Sequence, residues 1–209
     1  MKKNKSGSRT MLMSVLMSAP GPIVVGIGLF MGKSSTQLAD FIRRSAELMA
    51  IIVAFITYQL TNKPTVDTEK KYLLERRSNL FVGIAMCISG ISMLLISLFS
   101  KNTEQGNVIP GLCIALLGVI ANTIFWFRYK KLGNAQNNTI LLVQSRLYRA
   151  KSLVDICVTT ALLVVMFLPG SAAAFYFDRI GSVVVSVYLI WCGCKTVAEQ
   201  GKKLTKESA

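Results

Sequence analysis

Histidine is absent from this 209-residue chain, and acidic residues are scarce: 10 Asp and Glu stand against 24 Lys and Arg. Without His there is no imidazole metal ligand and no imidazole general base. Charged residues make up only 16% of the sequence, whereas soluble domains carry about 25%. No nucleophile–base pair and no phosphate-binding glycine loop stands out either, so the chain is not expected to be an enzyme. What it has instead is apolar surface: 52% of residues are hydrophobic. Its length would suit one or two soluble domains, but that apolar excess makes lipid the expected solvent. The five cysteines (Cys87, Cys113, Cys157, Cys192, Cys194) all fall in apolar stretches, where free Cys acts as a small hydrophobe.

Crossing ~30 Å of hydrocarbon takes about 20 helical residues. Six stretches are long enough: Thr10 to Met31, Thr36 to Leu60, Leu80 to Phe99, Asn107 to Phe127, a fifth beginning between Ile140 and Ser152 and ending at Leu168, and Ala174 to Cys194. The expected fold is an all-α membrane protein with six transmembrane helices, compatible with a three-plus-three arrangement of inverted halves. Pro20 and Pro22 should kink the first span. That span is too long for a signal-peptide core and lacks a small-residue cleavage site. The organisation expected is a basic tail over 1–9, a membrane domain over 10–197 and a short tail over 198–209.

Counted loop by loop, 18 basic residues fall on the side of the two termini and three (Lys33, Lys101, Arg179) on the other. The positive-inside rule then makes both termini cytoplasmic. The charge excess of +14 therefore reads as topology, with the lipid bilayer as partner and no nucleic acid. The expected location is the cell membrane, as a multi-pass protein.

Arg43, Arg44 and Lys151 are the basic residues left inside spans. Ionisable groups there are costly, ~2.5–3.5 kcal/mol each at the centre of a helix on insertion scales, and mark a pathway or a pair. The second span reads Leu38-Ala39-Asp40-Phe41-Ile42-Arg43-Arg44-Ser45-Ala46-Glu47, and the fifth Arg149-Ala150-Lys151-Ser152-Leu153-Val154-Asp155. In both, a base precedes an acid by four residues, on one face of a helix. Counted from the outer ends of their spans, Glu47 and Asp155 lie within roughly 5 Å of the same depth. Two antiparallel helices can gather Arg43, Glu47, Lys151 and Asp155 in one cluster, with Asp40 one turn above Arg43.

These segments resemble the transmembrane domain of the cation diffusion facilitator family of divalent-cation/proton antiporters. Leu38-Ala39-Asp40 is similar to the Leu-Ala-Asp of the family's second span, with Arg43 and Glu47 at the two ligand positions; Lys151 and Asp155 stand where its fifth span reads His-x-x-x-Asp. Lys71-Tyr72 to Glu75, Ala121-Asn122 and Tyr188-Leu189-Ile190-Trp191 are similar too, and the resemblance covers about residues 10 to 200. It implies a transported divalent cation (zinc, manganese or iron), no structurally bound cofactor, and a homodimer. The metal site departs from the family's pattern. Glu47 and Asp155 remain as metal ligands, but Arg has no acceptor atom and does not deprotonate in proteins. Three readings follow. The chain is a cation exporter with an altered site built on Glu47 and Asp155; or it moves another small ion; or it is a transport-inactive relative serving as a membrane partner or scaffold.

Overall fold

Pro20 lacks a backbone N–H and cannot continue a helical ladder, and the first rod breaks one residue before it. In the computed structural model, which describes residues 2–31, 35–63, 66–99, 108–167 and 172–205, α1 (Lys2–Ser18) and α2 (Pro20–Met31) are the two halves of that broken rod. The remaining helices are α3 (Ser35–Thr61), α4 (Thr68–Phe99), α5 (Val108–Gln136), α6 (Thr139–Phe167) and α7 (Ala172–Thr205). All regular structure among the described residues is helical, in six rods. The kink expected from the prolines is present.

The helices run past the apolar spans. α4 starts at Thr68, α7 continues to Thr205, and α1 takes in most of the basic stretch before Thr10. The basic segment between the fourth and fifth spans is not a loop: only Asn137 and Asn138 interrupt the helices. Asn137 has φ 48°, a left-handed conformation Asn tolerates better than most residues. The Asn138 N–H bonds the Gly133 carbonyl at 3.1 Å, closing α5 as a Schellman-type cap. The Asn138 side chain then accepts from the Leu141 N–H at 3.1 Å, capping the start of α6. One asparagine stops a helix and the next starts another.

Among the described residues, three helical stretches are long and apolar enough to cross a membrane by themselves: Ser6–Ile27, Thr68–Phe99 and Arg179–Gly201. α3 and α6 have the length, 27 and 29 residues, but each carries four charged side chains. Apolar side chains also cover much of the outside: Leu16, Ile91, Ile124, Val184 and Trp191 are all exposed. In water such a surface would aggregate. Facing acyl chains, it belongs to a multi-pass membrane protein.

Inside, α5 packs on α6, α4 on both α3 and α7, and α6 on α7, while α1 lies against α3 and α5. The tightest seam is α4–α7. A Cβ on Gly193 would lie 2.7 Å from the Gly83 carbonyl and 2.9 Å from the Cys87 backbone N. Gly90 meets α7 as closely, with the Ser186 carbonyl 2.9 Å from the same construction. In lipid, where water does not drive helices together, such small-residue contacts supply the packing.

The seam predicts a contrast between two glycines. Gly193→Ala should cost about 1–3 kcal/mol, the range for forcing an atom into a filled interior, because two of the obstacles beside the Cys87 sulfur are backbone atoms. Gly201, with nothing within 4 Å of its added Cβ, should accept Ala without loss. Thermal unfolding of the detergent-solubilised variants checks both.

Candidate functional site

Charge that enters a low-dielectric interior must find a partner there. α3 brings Glu47 inward, where its side chain is 7% exposed, and α6 brings Lys151, 14% exposed. Their charged atoms lie 3.4 Å apart. At an effective dielectric of about 20 that separation gives roughly 5 kcal/mol of gross attraction, largely offset by desolvation of both groups. Stripped of either partner, the other would be left charged and unhydrated. The pair is structural before it is anything else.

This bridge runs between helices. The four-residue spacing makes Arg43–Glu47 and Lys151–Asp155 partners along one helix each, yet Lys151 reaches across to the carboxylate of α3. Asp155 is held by α5: the Asn122 side-chain amide donates to it at 2.6 Å. Gly118, one turn before Asn122, makes room for the carboxylate, since a Cβ there would sit 2.8 Å from the Asp155 Oδ2. Next to it the Thr123 and Ser152 hydroxyls meet at 2.7 Å, a second polar link between α5 and α6.

Arg43, Arg44, Glu47, Lys151 and Asp155 all line one cavity of about 450 Å³, walled also by Ser18 and Gly21 at the α1–α2 break and by Asn122, Phe125 and Tyr148. The cluster expected from spacing and depth is thus brought together, with Arg44 added to it. The side chain of Asp40 lies outside the described residues. Among the described residues, three cations and two carboxylates line the cavity. Among the described residues no group of three or more Cys, Asp or Glu is placed to hold a metal ion.

Several residues at the site carry no signal in charge patterning. Tyr148 forms part of the cavity wall and lies beneath the Lys151 ammonium, 5.2 Å from ring centroid to Nζ, a cation–π distance. Ser18 sits 3.5 Å from the same Nζ. Arg149, counted by charge among the loop residues, instead lies over the Tyr188 ring of α7 at 5.5 Å. A tyrosine inside an apolar helix is the clue that was available, because its hydroxyl requires a partner in lipid.

The pair supports a double-mutant test. Lys151→Met should destabilise the protein by about 1–3 kcal/mol, the cost of leaving a buried polar group unpaired, and adding Glu47→Gln should recover most of the loss. Additive losses in thermal unfolding would mean that the two side chains do not interact.

A family model, the cation efflux transmembrane domain, matches residues 11–205. No curated protein matches the chain.

Proposed function

Because the chain belongs to the cation efflux family, a family of membrane cation transporters, we propose that it exchanges a divalent cation for protons through the cavity between α3, α5 and α6. Glu47 and Asp155 are the anionic groups that would receive the cation. The observation that carries the reading is the Lys151 ammonium 3.4 Å from Glu47: a built-in cation occupies the position where a carboxylate would meet its cargo. Cargo and ammonium compete for the same charge. Displacement of Lys151 from Glu47 is therefore the step that would admit the cation.

The reading includes six crossings, with both termini cytoplasmic and a homodimer as the assembly. Asn122 keeps Asp155 oriented, and Gly118 lets that carboxylate approach α5. Arg43 and Arg44 hold fixed charge at the cavity wall and cannot ligate.

One observation favours a second reading. The three cations among the described lining residues suit a site that moves a different small ion, or a protein that no longer transports and acts as a membrane partner. The two readings separate in sealed liposomes bearing the purified protein and a pH gradient, with Mn²⁺, Zn²⁺ and Fe²⁺ as probes. Exchange predicts gradient-dependent flux of at least one of them. Glu47→Gln and Asp155→Asn should each lower it about tenfold or more, the loss of roughly one directional charge contact. No flux of any of the three ions rejects the exchange reading.

The altered ligand set gives a gain-of-function prediction. Arg43→His with Lys151→His restores two nitrogen donors beside the two carboxylates, the ligand number and type zinc prefers. Zinc binding by the double variant should exceed that of the parent by about tenfold or more in equilibrium dialysis.

A further inference from the structure

Toward the end of the bundle that carries the α5–α6 turn and the start of α1, aromatic rings line the cavity. Phe125 and Tyr148 line it, and Tyr129, one turn beyond Phe125, lies behind them. The ring centroids of Phe125 and Tyr148 are 5.2 Å apart, those of Tyr129 and Tyr148 also 5.2 Å, and those of Phe125 and Tyr129 6.2 Å. Tyr129 and Tyr148 have almost no exposed surface. Their hydroxyls are both tied to α1. Ser14 donates to the Met11 carbonyl at 2.8 Å, so its oxygen accepts from the Tyr129 hydroxyl at 2.5 Å. The Tyr148 hydroxyl meets the Ser18 hydroxyl at 3.3 Å and donates to the Ser14 carbonyl at 3.5 Å.

We propose that Phe125, Tyr129 and Tyr148, latched to Ser14 and Ser18 of α1, form the gate between the cavity and the terminus-bearing side of the membrane. The proposal rests on the transport reading. Two features make this plug an openable one. The helix break between Ser18 and Pro20 lies directly after the latch, so α1 can tilt as a unit about a defined hinge. The latch also touches the ion pair: Lys151 bridges the Glu47 carboxylate at 3.4 Å, the Ser18 hydroxyl at 3.5 Å and the Tyr148 ring at 5.2 Å. A cation that takes Glu47 from Lys151 therefore disturbs the contacts that hold Tyr148 to α1. Site occupancy and gate position share one side chain.

The test needs no cargo. Ala121, on the cavity wall one turn before Phe125, is changed to Cys in sealed vesicles. A membrane-impermeant maleimide is added from the terminus-bearing side, and the label gained over the parent protein is followed by intact mass. Ala121→Cys alone should react slowly. Adding Tyr129→Ala should speed the reaction about tenfold, the population shift expected on losing a buried ring and its hydrogen bond from a two-state plug. Tyr129→Phe keeps the ring and should raise the rate by less, and it stands in if the alanine variant fails to fold. Tyr58→Phe removes another buried hydroxyl near that end, bonded to Gln136 at 2.7 Å but outside the plug, and should leave the rate unchanged. A fast reaction in Ala121→Cys alone, or one unmoved by either Tyr129 change in folded protein, overturns the gate. Gate-dependent labelling in a protein that moves no ion would instead leave the gate standing and remove the transport reading.

Discussion

The ion pair between Glu47 and Lys151 is the contact around which the polar interior is organised. α3 packs chiefly on α4, and α6 chiefly on α5 and α7, with α4 touching both, so the two helices that carry charge into the apolar region meet each other only over a short stretch. The pair joins them at 3.4 Å. Each half alone would be a buried charge of the kind membranes exclude, and together they permit a cavity that α3 and α6 could not otherwise share. The fittings around it follow from that need. Asn122 donates to Asp155, and Gly118 removes the side chain that would push Asp155 away. Ser18 and Tyr148 receive the remaining face of the ammonium.

The molecule divides its labour between two kinds of interface. Along α4 and α7 the helices approach closely at Gly83, Gly90 and Gly193, and the seam is tied at its ends by Arg76 donating to the Gln200 carbonyl and Arg179 to the Leu98 carbonyl. Such a seam has little freedom to slide, because backbone atoms stand beside side chains among its obstacles. Around α1, α5 and α6 the contacts are hydroxyls, rings and one ammonium, each able to exchange partners at small cost. If the protein passes an ion, as proposed, the motion belongs on the second interface. The break at Pro20 lies there.

Much of this was legible in the residues. The apolar stretches located the six rods, the prolines located the break, and a base four residues before an acid, twice at matching depth, located the cavity. The pairing itself was not legible. Spacing along one helix favours Arg43 with Glu47 and Lys151 with Asp155, but the partner across the gap depends on helix rotation and separation, which sequence period does not encode. Arg149 was placed by charge alone: the basic count treats residues before the apolar run as loop, whereas α6 begins at Thr139 and carries Arg149 over Tyr188. The serines and tyrosines of the plug were invisible to charge counting, since hydroxyl networks leave no periodic trace.

The central claim is that Lys151 occupies the cation's place at Glu47. Equilibrium binding of Mn²⁺ to the purified protein, compared with Lys151→Met, tests it most directly. A tethered competitor, once removed, should leave Mn²⁺ bound about tenfold more tightly in correctly folded protein. Unchanged or weaker binding by the folded variant would contradict the account and leave Lys151 as a structural counter-charge alone.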